Sequence, residues 1–439
     1  MIKGILVLII LVISTHNVFA MTVQDPELIV EEFTTGLSSP TSISFVGSDI
    51  LVLQKNDGKV RLIQDGVLQN TPVLDVSVSN NSERGLLGIE SVGNNVYLFF
   101  TESLIDGGDP LGNRIYKYFW NGTNLINPVL VKEFPATPGP NHNGGVLAKD
   151  LSDNVFAIIG DLNRNGVLQN FPTGDPDDTS IILPIDPAGS IRAMGIRNSF
   201  GLTIDPITGN MWDTENGPNV FDEINLVSPN FNSGWETIMG PATQVQIDSL
   251  PGFESFVYSQ PEFSWEDPVA PTSILFPDAI SFANYLDSVL VGDCNNGNLY
   301  KFTLNPPRDS FVFTSPALSD LVLNMTDNAT EIEFGSGFGC ITDLEMGPDG
   351  FLYVSSINTG KIYRIFPLDA CIVPNDIDLT ITTSCTLYSS DFVSRSVLVQ
   401  NSSVLTIPSD VTLDIDFSQF NLTVESGSGV LIKLGGTIT

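Results

Sequence analysis

Histidine is nearly absent from this chain of 439 residues: there are two, His16 and His142. His16 lies in a stretch that reads as a removable leader, so residues 21–439 hold one imidazole. Basic residues are scarce too, 18 Lys and Arg against 51 Asp and Glu, for a formal net charge of −33. That charge repels phosphate backbones and anionic lipid, which argues against nucleic acid and anionic membrane as partners. Cysteine is limited to Cys294, Cys340, Cys371 and Cys385. None forms a CxxC pair, and one histidine is too few for a Cys/His zinc site. Beyond the leader no run approaches the ~18 consecutive apolar residues of a membrane span. Sustained helical periodicity is also missing.

What is present begins with an export pattern. Lys3, the apolar run Ile5 to Ile13 and the small-residue site Val18-Phe19-Ala20 predict a signal peptide over residues 1–20. The mature chain is therefore expected to be secreted or at the cell surface. Four cysteines in an exported chain predict two disulfides, and the spacing suggests Cys371–Cys385 as a local loop and Cys294–Cys340 as a longer link. Sequons start at Asn80, Asn121, Asn324, Asn328, Asn401 and Asn421 and are surface hints only. With 42% apolar residues the chain can bury a large core.

Three stretches share one template: ILVLQKNDGKVRLI from Ile50, VLVGDCNNGNLYKF from Val289 and LYVSSINTGKIYRI from Leu352. Each is an apolar strand, a polar turn with Gly ninth (Gly58, Gly297, Gly360), and a strand alternating apolar and basic residues. That pattern is a hairpin whose loop needs positive φ. Looser units at 95–118, 154–161 and 210–227 complete a period suited to four-stranded blades. The expected architecture is all-β, a six-bladed β-propeller over 21–367, with a large sandwich as the alternative. After Pro367 the texture shifts to Thr, Ser, Val, Ile and Leu with short alternations such as VLTIPSDVTLDIDF. Residues 368–439 are expected to form a small β-solenoid or sandwich-like module for surface attachment or self-assembly.

The lone imidazole sits in GPNHNGGVL, 139–147, a loop running into a strand that ends at Asp161. A histidine at a blade's start and an aspartate at the end of its next strand can both face the axial cavity of a propeller. An imidazole there suits proton abstraction near neutral pH; a loop histidine without a role is the plain alternative. The run Asp161-Leu-Asn163-Arg-Asn165-Gly166 imitates an EF-hand opening, but Pro172 stands at its twelfth position and no helices flank it.

Four blocks then carry a resemblance: ERGLLGI (83–89), HNGGVL with IIGD (142–161), GIRNSFGL (195–202) and TENGPNVFDEINLV (214–227). PVAPTSILF (268–276) and GPDGFLYV (347–354) follow in order. In order and spacing the chain resembles the quinoprotein sugar dehydrogenases, the glucose/sorbosone dehydrogenase family, which use pyrroloquinoline quinone (PQQ). The resemblance spans about residues 30–366 and implies a six-bladed propeller. It implies that His142 removes the sugar C1 hydroxyl proton as hydride passes to the quinone, and that Asp161 orients it. It matches Arg197 and Asn198 to contacts with the quinone oxygens, and Gly217 and Pro218 to the turn whose carbonyls hold Ca²⁺. Asp222 and Glu223 match acidic positions tied to structural Ca²⁺. Hard oxygen ligands suit that ion, and a cation beside a quinone favours its reduction.

Departures from the family pattern cluster at one end of the expected cofactor site. Asn295 or Asn296 stands where a fifth-blade lysine grips the PQQ carboxylates. Cys340 and Thr342 stand where sixth-blade arginines do, and Glu83 replaces a glutamine. Lost charge-assisted hydrogen bonds of about 1.5–3 kcal/mol each predict weakened PQQ binding, and a Cys294–Cys340 disulfide is expected to brace the vacated pocket. Three functions follow. One is an exported dehydrogenase acting on an aldose or other small alcohol, passing electrons to an external acceptor. The second is a non-catalytic propeller that binds carbohydrate or protein at the cell surface. The third is a Ca²⁺-dependent, lactonase-like hydrolase.

Overall fold

The computed structural model describes residues 21–174, 176–253, 255–372, 378–393 and 395–439. The expected signal peptide lies outside them. Among the described residues the chain is all-β, with one short α-helix, Gln244–Ser249, and a few 3-10 turns. Among the described residues no helix is long and apolar enough to cross a membrane.

The glycine-turn hairpins form as the period-2 pattern predicts. Asp49–Gln54 pairs with Lys59–Gln64, Ser288–Asp293 with Leu299–Thr303, and Leu352–Ser356 with Lys361–Pro367. Gly58, Gly297 and Gly360 take φ of 62°, 70° and 65°. A Cβ on Gly58 would lie 1.7 Å from the Val76 carbonyl oxygen, so both conformation and space demand glycine.

Before residue 368, strands assemble into six sheets of four or more strands, each built on a four-strand antiparallel meander. The inner strands are Pro40–Val46, Leu86–Val92, Leu147–Lys149, Gly201–Ile204, Pro271–Leu275 and Ile341–Met346. They surround an axial cavity, into which Glu90, Lys149, Asp343 and Glu345 project among Ser42, Ser44 and Thr203. Strand Leu28–Thr34 returns to pair with Lys361–Pro367, tying the chain's beginning to its last sheet. The arrangement is a β-propeller, but the regular blade recurs five times rather than the six expected. Five sheets carry at most one strand beyond the meander. The sheet that starts at Leu147 has a fourth strand of only two residues, Ala193–Met194, and grows outward through parallel pairing with Phe231–Asn232 and Val257–Tyr258.

Apolar side chains fill the spaces between neighbouring sheets. Trp212, Phe263, Trp265 and Phe302 are fully buried in one such layer; Phe99, Phe134, Ile159 and Ile181 are in another. Burying an aromatic or branched side chain contributes about 1.5–3 kcal/mol, so these layers hold the sheets at fixed angles and fix the loops at their ends.

Beyond Pro367 the pairing changes from antiparallel to parallel. Leu379–Ile381, Val397–Val399 and Leu422–Val424 form one three-stranded sheet; Cys385–Thr386, Val404–Ile407 and Gly429–Ile432 form a second; Asp391–Val393, Thr412–Ile415 and Thr437–Ile438 form a third. Both expected disulfides are present, Cys294–Cys340 and Cys371–Cys385.

Candidate functional site

Three backbone segments converge at Gly160. A Cβ there would lie 2.4 Å from the His142 carbonyl oxygen and 2.6 Å from that of Arg197, so the glycine of IIGD is what lets the histidine loop and the GIRN segment close on strand Val155–Ile159. The loop is braced from below. Arg84, 6% exposed, donates from its guanidinium to the carbonyls of Ala136 and Pro138.

His142 sits in the left-handed region, φ 61°, with Nδ1 2.5 Å from Asp161 Oδ1. Asp161 is a saturated acceptor. Asn163 N also donates to Oδ1 (2.8 Å), and the Trp235 indole Nε1–H donates to Oδ2 (2.7 Å). Held by donors on both oxygens, the carboxylate accepts the hydrogen bond from Nδ1–H and leaves Nε2 of the imidazole as the basic nitrogen. Glu83 approaches from the second sheet. Its Oε2 accepts from His142 N (2.5 Å) and Asn198 Nδ2 (3.2 Å), linking ERGLLGI to both other blocks.

Arg197 lies over the Trp235 ring, 5.2 Å from guanidinium carbon to ring centroid, and donates from NH1 to the Asn216 carbonyl (2.6 Å). Burial pushes its pKa down, while Asp161, Glu215, Glu83 and Asp222 pull the other way. Four carboxylates thus surround one guanidinium, so the site's own field is negative. Arg197 Nε, Asn198 Oδ1 and Asn216 Oδ1 are buried without a protein partner. Orphaned polar atoms of this kind, in three adjoining residues, are where an added ligand would be recognised.

The Gly217-Pro218 turn joins this cluster through Asn216. Gly217 N donates to Asp222 Oδ1 (2.8 Å), and a Cβ at Gly217 would lie 1.8 Å from the Phe221 carbonyl oxygen. Asp222 Oδ2 accepts from Ala270 N (2.7 Å). Glu223 accepts from Gly240 N and Asn225 Nδ2. Both acids expected at calcium positions therefore have their oxygens engaged by amide donors. Among the described residues no group of three or more His, Cys, Asp or Glu side chains is arranged for a metal.

Asn295 and Thr342 stand apart. Asn295 Nδ2 donates to the Pro268 carbonyl (3.0 Å), and the Thr342 hydroxyl donates to that of Pro40 (3.1 Å). Neither contacts the His142 cluster. They connect to it indirectly, because Cys294 N donates to the carbonyl of Ala270, whose own amide holds Asp222. The Cys294–Cys340 bridge ties these two loops together.

Arg84 and Glu215 lie inside the motif blocks without a role read from them, and Trp235 lies outside every block. Glu215, fully buried, accepts from Arg197 N and the Ser233 hydroxyl, and burial pushes its pKa up to about 7. Asp213 beside it is also raised by burial, and neither of its oxygens has a partner. The legible signal was the acidic alternation of WDTE (212–215) facing EINL (223–226) across one strand pair.

A sequence model of the glucose/sorbosone dehydrogenase family matches residues 37–364. The aldose sugar dehydrogenase of Escherichia coli K12 is 23% identical over 253 residues, 54% of this chain and 63% of that protein, so the chain spans just under two thirds of that relative. An uncharacterised protein of Synechocystis is 23% identical over 399 residues, 80% of this chain and 89% of its own. Among solved structures, an oxidoreductase described as a glucose dehydrogenase from Thermus thermophilus superposes with TM-score 0.62 at 23% identity, covering 77% of this chain and all of that one. The PQQ-bound aldose sugar dehydrogenase of Streptomyces coelicolor gives 0.58 at 21%, covering 77% and 98%. These structural likenesses show a shared fold, and the family match across most of the chain shows more: it belongs to the glucose/sorbosone dehydrogenase family.

Proposed function

We propose that the chain is an exported quinoprotein-type dehydrogenase that oxidises an aldose or related small alcohol at C1, with PQQ as acceptor and Ca²⁺ as its electrostatic partner. The sheet that departs from the blade pattern closes the ring as a modified sixth blade. Residues 368–439 form a β-solenoid beside it. The observation that carries the reading is the donor-saturated Asp161 on His142 Nδ1, next to the orphaned Arg197 Nε, Asn198 Oδ1 and Asn216 Oδ1.

The roles follow from this chain's own atoms. His142 Nε2 takes the proton of the C1 hydroxyl. Asp161 holds the Nδ1–H tautomer and stabilises the imidazolium that forms, which general-base catalysis requires. Trp235 fixes Asp161 from the other side and supports the Arg197 guanidinium. Arg197 and Asn198 would hold the quinone oxygens, and the Gly217 and Pro218 carbonyls would hold Ca²⁺. Asp222 shapes that turn by accepting from Gly217 N. When bound, PQQ supplies the two-electron acceptor for the C1 hydride, and an external acceptor takes the electrons on. Asn295 and Thr342 would face the tricarboxylate end of PQQ without the family's cations, so affinity would depend heavily on Ca²⁺ within this negative site.

The test is titration of the purified chain with PQQ, with and without Ca²⁺, followed by dye-linked aldose oxidation in wild type and His142→Ala. Calcium-dependent quinone binding, with turnover lost in the variant, is the expected result. No quinone binding at saturating Ca²⁺ overturns the reading in favour of a non-catalytic binding propeller. Quinone-free lactone hydrolysis overturns it in favour of a hydrolase.

A further inference from the structure

Lys55 is a cation without an acid. Lys59, Lys117, Lys132, Lys149 and Lys361 each form an ion pair, and among the described residues Lys55 forms none. Its Nζ donates to the Ser82 carbonyl (2.6 Å) and to Asn56 Oδ1 (3.2 Å). An ammonium has three protons, so one is uncommitted. The side chain is half-buried. Burial pushes its pKa below the ordinary 10.5, while Glu83 pulls the other way. A charge taken from water in this way is costly until an opposite charge meets it.

The backbone sets Lys55 between two parts of the candidate site. On one side Lys55 N donates to the Ser39 carbonyl (3.0 Å), and the next carbonyl, that of Pro40, accepts from the Thr342 hydroxyl (3.1 Å). Thr342 is the position where the family resemblance expects an arginine. On the other side, Ser82 precedes Glu83, which accepts from His142 N. Gly85 of ERGLLGI makes this approach possible. A Cβ there would lie 2.7 Å from Lys55 Cγ and 2.4 Å from the Lys55 carbonyl oxygen, so only glycine admits the lysine. The repeat gives the same placement: Lys55 in ILVLQKNDG stands where Cys294 stands in VLVGDCNNG, one residue before Asn295.

We infer that Lys55 supplies, from the first hairpin, a cation for a carboxylate of the cofactor, replacing part of what Asn295 and Thr342 cannot give. This rests on the quinone reading proposed above. Arg197 and Asn198 are matched to the quinone oxygens, and Lys55 neighbours Thr342, so its contact falls to a carboxylate. A Lys55 that merely props the Ser82 carbonyl would be indifferent to charge on the ligand, and that difference is measurable.

Fluorescence titration at saturating Ca²⁺ compares PQQ with its trimethyl ester, which keeps the quinone and lacks the negative charges. Lys55→Gln should weaken PQQ by about ten- to a hundredfold, with unchanged circular dichroism. It should leave the ester within about twofold. Lys55→Arg should hold PQQ within about threefold. The dependence of PQQ affinity on salt should be shallower in Lys55→Gln than in wild type. Equal PQQ affinity in wild type and Lys55→Gln overturns the inference and leaves the quinone reading standing. An equal loss for PQQ and ester does the same, as does an unchanged salt dependence. A wild type that binds neither PQQ nor the ester overturns the quinone reading and this inference with it.

Discussion

Replacing Asp161 with Asn tests the geometry of the proposed base more sharply than removing His142. Asp161 offers two acceptor oxygens to three donors: His142 Nδ1–H and Asn163 N–H on Oδ1, Trp235 Nε1–H on Oδ2. Asn supplies one acceptor and one donor, so neither orientation satisfies all three. If its oxygen stays toward His142, its NH₂ opposes the indole N–H at 2.7 Å. If it turns, the NH₂ faces Nδ1 and forces the imidazole to protonate Nε2, which abolishes the base. Losing a charge-assisted bond costs about 1.5–3 kcal/mol and leaving a buried donor unpaired about 1–3 kcal/mol. Together they predict a fall in kcat/KM of about 10²–10⁴. Trp235→Phe removes the opposing N–H, so Asp161→Asn with Trp235→Phe should be about tenfold more active than Asp161→Asn alone, although Trp235→Phe by itself costs activity. Ring ¹⁵N chemical shifts give a readout independent of turnover, because residues 21–439 contain a single histidine. The double variant should show the Nδ1–H tautomer and Asp161→Asn a population of Nε2–H. Equal tautomers in both, with multiplicative losses in activity, would refute the reasoning.

Restoring cations where the family has them, with Asn295→Lys and Thr342→Arg, should tighten PQQ by about tenfold or more per residue, read by fluorescence titration. Chelating Ca²⁺ should abolish PQQ binding in wild type and only weaken it in that double variant, since the added cations then share the neutralisation. Gly217→Ala should eliminate Ca²⁺-dependent quinone binding, because its Cβ would lie 1.8 Å from the Phe221 oxygen, whereas the same change at Gly252, with nothing within 4 Å, should be silent. Burial in the axial cavity pushes the Asp343 carboxyl up to about 7 from an ordinary 3.8. The unfolded chain therefore gives up that proton first, and stability should fall as pH rises from about 4 to 7 and level off above. The limit is about 4 kcal/mol, reduced by any water in the cavity. Asp343→Asn should flatten the urea midpoint between pH 5 and 8.

Period-2 alternation and positive-φ glycines are local properties, which is why the hairpins at Gly58, Gly297 and Gly360 were legible from the chain alone. The departing sheet was not. Its outer strands join in parallel from Phe231–Asn232 and Val257–Tyr258, two residues each, and a two-residue strand has no period to read. Within the site, the His142–Asp161 contact was foreseeable because both ends lie on one hairpin, and Cys294–Cys340 because four cysteines allow few pairings. Donor saturation was hidden for a different reason. Whether Asp161 can fix a tautomer depends on Trp235, 74 positions away, and on the sheet geometry that brings its indole within 2.7 Å. Likewise Asp222 and Glu223 read as metal positions because a carboxylate in sequence looks free. In the fold, Gly217 N, Ala270 N and Gly240 N already claim them, and they act by shaping the carbonyl-bearing turn. Residue type and spacing thus reveal which groups could do chemistry. Which of those groups remain unsatisfied, and so able to take a ligand, is set by long-range backbone donors that no local pattern encodes.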